Sequence, residues 1–426
     1  MTYNKTKDEY GVEYSAGGIN LVHFPEEYFG VYAIPEGVKY IDNHAFENCK
    51  GLKRLTLPKS LKSISPDAFF KCDNLKEIHY EGSFKDWCNL DFSTEWSSPC
   101  CNGAKLFISE KELIEVGFPE GINEIKKFAF FGCTSIINVV IQDNIKSLGK
   151  QAFGDCTNLR EVTIFADVDE ISEGMFEGCS SLIGVHFASP GITKMAPRAF
   201  AHCKNLGHIT LPDNLIEIQG FAFYSCNALS EVTLPEKLTV VGDSAFGSCE
   251  KISTVIFAGT LERWCLISFC DFFSNPLFYG AYLYVNDGDL VEELEIPTTV
   301  KELYYSFSGC GSIKKVTIPD SINCVTEMLF ARCKNLSCVI LHDKVRRIEE
   351  RAFETCENLK HLFIPASVDL IAPYVAPNCH LTFYLEGEPF DRWDYNWNSR
   401  GGNKRGKYDV VPYTPRWWYD KFVAQN

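Results

Sequence analysis

Twelve cysteines recur on a fixed step. Cys49 and Cys72 lie 23 residues apart; Cys133, Cys156 and Cys179 keep that step; Cys203 arrives one residue late; Cys226 and Cys249 resume it; and Cys310, Cys333, Cys356 and Cys379 complete the series. Most follow an Ala-Phe pair, as in AFENC, AFFKC, AFGDC, AFAHC, AFYSC and AFETC, with MFEGC, SFSGC and LFARC as variants and VAPNC keeping only the cysteine. The whole unit reads L-x-x-L-x-(I/L)-P-x-x-(V/L/I)-x-x-I-x-x-x-A-F-x-x-C-x-x. A unit this short cannot bury a core alone, but stacked copies can, because each layer covers the apolar face of the next.

The local pattern assigns a conformation to each part of the unit. In LKRLTLP, Leu55 and Leu57 alternate with Arg54 and Thr56, the period of a half-buried strand. Pro58 ends it, lacking the N–H that continued pairing needs. SLKSI alternates again and is expected to run extended on an opposite wall. Ala68, Phe69 and Cys72 then form a tight turn or a single helical turn, with Phe filling the interior and Cys acting as a small apolar plug.

The IP or LP at the strand end, the AFxxC turn and the 23-residue step resemble the BspA-like class of leucine-rich repeats over about residues 12–390. The resemblance implies an α/β fold: a leucine-rich repeat solenoid with a parallel β-sheet on its concave face and short helical or 3-10 turns and extended segments elsewhere. It also implies an adhesin-like, virulence-associated protein that is secreted or sits at the cell surface. MTYNKTKDEYGVEYSAGG carries no apolar signal region, so a native start here would imply a cytoplasmic protein.

Two places break the step. Phe69 to Phe130 and Phe246 to Phe307 each span 61 residues, one step plus 38, and the added segments match at an offset of 177: Trp87 with Trp264, Pro99 with Pro276, Leu106 with Leu283. A duplicated block is the economical explanation, and the insertions read as elaborated coils or as binding knobs. The expected organisation is a cap over 1–33, with a hairpin about Gly17-Gly18; a solenoid over 34–383 with insertions near 82–105 and 259–282; and a cap or partner-binding tail over 384–426. That tail contains Trp393, Trp397 and the basic loop residues Lys404, Arg405 and Lys407.

Chemistry finds little footing. There is no nucleophile elbow, phosphate-binding glycine loop or CxxC pair, so no catalytic residue, cofactor or metal is expected. The ladder cysteines read as buried free thiols, with Cys100, Cys101, Cys265 and Cys270 off the ladder. With 56 acidic against 41 basic side chains the net charge is −15, which repels phosphate backbones and excludes general nucleic-acid binding. No run of 18 apolar residues is present to span a membrane.

What remains is the outward face of the strands. The candidate ligand-binding positions there are Glu77, Glu115, Glu161, His186, His208, Glu231, Glu293, Lys315, His361 and Phe363. The glutamates form a broken acidic stripe suited to a basic protein or peptide. Val140, Ile256, Ile340 and Phe363 are expected to be exposed apolar positions that gain by being covered. The expected function is a non-enzymatic scaffold binding a protein or a surface glycan through this face. The alternatives are a structural spacer presenting its insertions or ends, and a hydrolase with its site in the insertions or the C-terminal region.

Overall fold

The structure, a computed structural model, describes residues 5–286, 288–388, 393, 408–416 and 419–420; Trp397, Lys404, Arg405 and Lys407 lie outside them. The chain is a β-solenoid of about 16 turns with parallel sheets. It divides into two compact units, Met1–His208 with Phe221–Ala228, and Ile209–Gly220 with Leu229–Asn426.

Alternation builds the first wall. In the first unit, Glu115–Gly117, Asn138–Ile141, Glu161–Ile164 and Gly184–Phe187 pair in parallel, with Val139, Val162 and Val185 in register. Val139 and Val162 point inward and are buried, while the residues on either side of them face out. Strand Leu52–Leu57 stops directly before Pro58. The opposite wall consists of two-residue strands, such as Glu124–Ile125 beside Ser147–Leu148 and Glu170–Ile171 beside Lys194–Met195. The second unit repeats this scheme with Glu231–Leu234, Thr254–Phe257 and Tyr282–Val285, then Glu293–Glu295, Lys315–Thr317 and Cys338–Ile340. At the start of the chain, Lys5–Lys7, Glu13–Ser15 and Asn20–His23 pair antiparallel, and the last of these continues in parallel to Tyr40–Ile41.

The Ala-Phe-Cys segment is a tight turn. It holds two left-handed residues per coil, one before the alanine position and one before the cysteine: Gln151 and Asp155 at φ 49° and 52°, Arg351 and Thr355 at 56° and 56°. Each non-glycine residue in that region costs on the order of 1 kcal/mol. The return is a third set of inter-coil bonds. The N–H groups of Gln151, Phe153 and Asp155 donate to the carbonyls of Glu173, Met175 and Glu177 at 2.9, 3.0 and 2.7 Å. Those of Arg351, Phe353 and Thr355 donate likewise to Tyr374, Val375 and Pro377 at 3.1, 2.9 and 2.9 Å.

Phenylalanine and cysteine fill the space under the turn. Phe130, Phe153, Phe176, Phe200 and Phe223 stack with centroids 5.1, 5.8, 5.3 and 5.5 Å apart and planes within 17° of parallel. The thiols are more than plugs. Cys156, Cys179 and Cys203 donate to the carbonyls of Phe130, Phe153 and Phe176 at 3.1, 3.1 and 3.2 Å. Cys333, Cys356 and Cys379 do the same toward Phe307, Phe330 and Phe353, each at 3.1 Å. All 19 cysteines are free thiols. Desolvation holds Cys179, Cys333 and Cys356 well above the ordinary thiol value.

Each insertion resolves into one long coil and a hairpin. Strand starts at Glu77, Lys105 and Glu115 separate a 28-residue coil from a 10-residue hairpin, which together make the 38 added residues. The coil opens with the helix Phe84–Cys88, capped by Ser83 with Asp86 completing a capping box. Trp87 is fully buried, and its indole N–H donates to the Ala129 carbonyl at 2.9 Å. In the second unit the helix Leu261–Cys265 places Trp264 identically, donating to Ser306 at 3.0 Å. Gly132 and Gly309 are left-handed, at φ 74° and 78°, and a Cβ at either would run into the backbone of the insertion coil, at Cys100 and Cys101 or at Phe278. Only glycine meets both demands.

Three measurements test this core. Phe153→Ala removes a buried ring between two others and is expected to cost about 3–5 kcal/mol in urea unfolding; a midpoint near that of the parent would place the ring outside the core. The Tyr80 hydroxyl is buried without a hydrogen-bond partner among the described residues, and its counterpart 177 residues on is Phe257. Tyr80→Phe is therefore expected to stabilise the chain by on the order of 1 kcal/mol, read as a raised melting temperature. For the thiols, Ellman reagent is expected to label exposed Cys270 in the folded chain, with the ladder cysteines reacting only after denaturation. Because folding raises the pKa values of Cys179, Cys333 and Cys356, the stability these three contribute is complete below the ordinary value of 9.0 and declines as pH rises beyond it. The urea midpoint is thus expected to be lower at about pH 10 than at about pH 8.

Candidate functional site

The outward strand face places the acidic stripe in two distinct settings. Glu77 is not free: Arg54, on the preceding strand, reaches its Oε2 at 2.6 Å and holds the carboxyl below its usual range. His79 lies beside it, stacked on Phe107 at 4.5 Å between planes 5° apart, with Glu77 and Glu110 each 3.4 Å from a ring nitrogen. Phe107 and Glu110 belong to the hairpin of the first insertion, so that hairpin covers part of the face. Glu293 is likewise paired, to Lys315 at 3.1 Å.

Glu115 and Glu161 differ. Register sets Glu115, Asn138, Glu161 and Gly184 side by side on successive strands. At about 4.8 Å per strand the two residues stand two steps, or roughly 10 Å, apart along the sheet. Both residues are exposed and, among the described residues, neither makes an ion pair. The Glu161 carboxylate lies over Gly184, in the space that a side chain there would fill. His186, beside Thr163, and His208 are exposed on the same unit. In the second unit Glu231 is exposed beside Thr254, with Tyr282 on the next strand.

The expected apolar positions need correction. Phe363 faces outward as the alternation requires, yet it is only 2% exposed. Tyr419 lies 5.1 Å from its ring and the Arg416 guanidinium 4.9 Å above it. His361 beside it is half-buried, and desolvation lowers its pKa. Val140, Ile256 and Ile340 are also only half-buried, packed among their neighbours. One set of exposed apolar residues in the first unit stands at the N-terminal ends of successive strands, where Ile114, Ile137 and Ile183 are 43%, 37% and 37% exposed. With Arg160 between the last two, they line a groove of ≈ 450 Å³. Sequence reasoning missed them because the residue before a strand has no fixed side in a two-residue alternation. Their recurrence at whole steps, 23 and then 46 residues apart, was the available signal.

Among the described residues no cluster of three or more His, Cys, Asp or Glu is placed to hold a metal ion. No helix among them is long and apolar enough to cross a membrane.

Comparison with known proteins bears on the fold. The model of the BspA type leucine-rich repeat region matches residues 23–98, 103–206, 185–272 and 280–390. Among solved structures, the chain is similar to a leucine-rich repeat protein from Bacteroides ovatus, with 23% identity, a TM-score of 0.53 and coverage of 92% of this chain and 88% of that one. It is also similar to a leucine-rich cell surface protein from Faecalibacterium prausnitzii, with 19% identity, a TM-score of 0.42 and coverage of 100% and 96%. No curated protein matches the chain in sequence.

Proposed function

Because the chain belongs to the BspA-type leucine-rich repeat family, we propose that it is a non-enzymatic protein-interaction scaffold, adhesin-like and displayed at a cell surface, that recognises its partner through the outward strand face. The observation that carries this reading is the pair of unneutralised carboxylates, Glu115 and Glu161, held on a rigid sheet beside the exposed Ile114, Ile137 and Ile183. Exposed ion pairs within one chain contribute only about 0.2–1 kcal/mol, so folding places little constraint on these side chains. Isoleucines in water gain free energy when a partner covers them. A basic protein surface with apolar side chains answers both features. A neutral glycan supplies no counter-charge for the carboxylates, which makes a protein the better-fitting partner. Glu231 gives the second unit a related position, and His186 and His208 extend the face of the first.

The test is a photo-crosslinking residue at Thr163, on this face, compared with one at Lys150 on the far side of the coil. A basic protein captured from Thr163 alone is expected. Its affinity should fall at least about tenfold, or about 1.4 kcal/mol, in Glu161→Lys, and weaken further with added salt. Unchanged melting of that variant would confirm that folding is intact, and unchanged affinity would move the footprint off this face.

A further inference from the structure

The last coils of the second unit carry a ligand of their own. After strand Asp409–Val411, which pairs in parallel with Thr382–Leu385, the chain leaves the sheet edge and turns back. Thr414 N–H donates to the Leu385 carbonyl at 2.8 Å. Arg416 donates to the Leu341 carbonyl, two strands away, at 3.0 Å and lies over the Phe363 ring. Tyr419 is buried between Phe363 and Tyr384, with centroids 5.1 and 5.3 Å apart. A segment from outside the repeats therefore crosses the outward face of three successive strands, inserting one cation and one ring.

We propose that this end of the strand face, around Phe363, is a docking site for a segment bearing an arginine and an aromatic side chain three residues apart. Thr414, Arg416 and Tyr419 fill it in cis, and a partner segment of the same chemistry competes for it. Two features of the contact support exchange. Among the described residues the cis segment is held by one backbone bond at Thr414, one guanidinium and one ring. Short terminal elements of this kind open locally at low cost. The fit is also incomplete, since His361 Nδ1 is buried beside this contact with no hydrogen-bond partner among the described residues. An incoming segment that offers His361 a partner recovers a polar group that the cis segment leaves unpaired. The chemistry of the occupant is read from what the site already accepts: a guanidinium on the Phe363 face, with a backbone carbonyl beyond it, and a phenol ring against Tyr384. The proposal is independent of Glu115 and Glu161, which belong to the other unit, so either reading can fail without the other.

The experiment uses the full chain with R416A and Y419A together, which frees the site without touching its floor. The probe is a fluorescein-labelled peptide of the sequence 412–426. Saturable binding to the double variant, at least tenfold tighter than to the parent chain, is expected. A peptide with both positions changed to alanine should lose that binding. Phe363→Leu added to the double variant should weaken it while keeping the apolar volume, with melting curves checking the fold. Hydrogen exchange in Cys338–Ile340 and His361–Ile364 should be faster in the double variant than in the parent. No peptide binding to a folded double variant, equal binding to variant and parent, or exchange unchanged by loss of the two side chains would overturn the proposal.

Discussion

The turn that closes each coil is the constraint on which the rest depends. Two left-handed residues per turn rotate three N–H groups along the stack, so that each layer bonds to the next on a third side as well as through its two walls. A backbone with its polar groups so satisfied can be buried throughout. It also fixes the distance at which the phenylalanines meet, between 5.1 and 5.8 Å in the first unit from Phe130 to Phe223. The cysteine then follows from the geometry. The Phe carbonyl of the preceding coil faces a space too small for a larger polar group, and a thiol is small, apolar and a weak donor.

The same bonds explain how the insertions are tolerated. A segment added to a solenoid must either leave the stack or reproduce its contacts. Here the long coil reproduces them: Phe69 N–H finds the Trp96 carbonyl, and Phe246 N–H finds that of Phe273. Buried Trp87 and Trp264 then reach forward into the next turn. Only the 10-residue hairpin is surplus to the stack, and it is the part that reaches the outward face, where Phe107 and Glu110 meet His79.

The repeat made the core legible. Ala68, Phe69 and Cys72 recur because every layer gives them one environment, so period alone assigned strands, proline stops and buried ring. The left-handed residues were not legible. Gln151, Arg198, Phe221 and Arg351 carry no turn signature, and their conformation is imposed by bonds to the next layer rather than by local preference. The pairing of Glu77 with Arg54 was within reach, since the two are 23 residues apart and so face each other on adjacent strands. The burial of Phe363 was not, because Arg416 and Tyr419 lie more than fifty residues downstream and outside the repeat. Periodicity predicts what one layer does to the next and is silent about a segment that crosses several.

The two copies of the duplicated block separate what the fold requires from what it leaves open. Many inward positions are identical across the 177-residue offset, Leu57 with Leu234, Leu61 with Leu238, Phe69 with Phe246, Cys88 with Cys265 and Trp87 with Trp264, and others change only between apolar side chains, as Leu55 to Val232 and Ile78 to Val255. Several outward ones change in character, although Thr56 and Thr233 agree. Arg54 corresponds to Glu231, a reversal of charge, Glu77 to Thr254 and His79 to Ile256. Packing at native density punishes change inside by kilocalories and hardly registers it outside. Equal frames with opposed surface chemistry are what a chain acquires when its scaffold is under one constraint and its faces answer to others. The pairing of Arg54 with Glu77 neutralises one strand row of the first unit, while the corresponding row of the second offers Glu231 beside Thr254 with no such partner. The two units therefore present different surfaces on one architecture, and a partner that reads charge on the strand face distinguishes them.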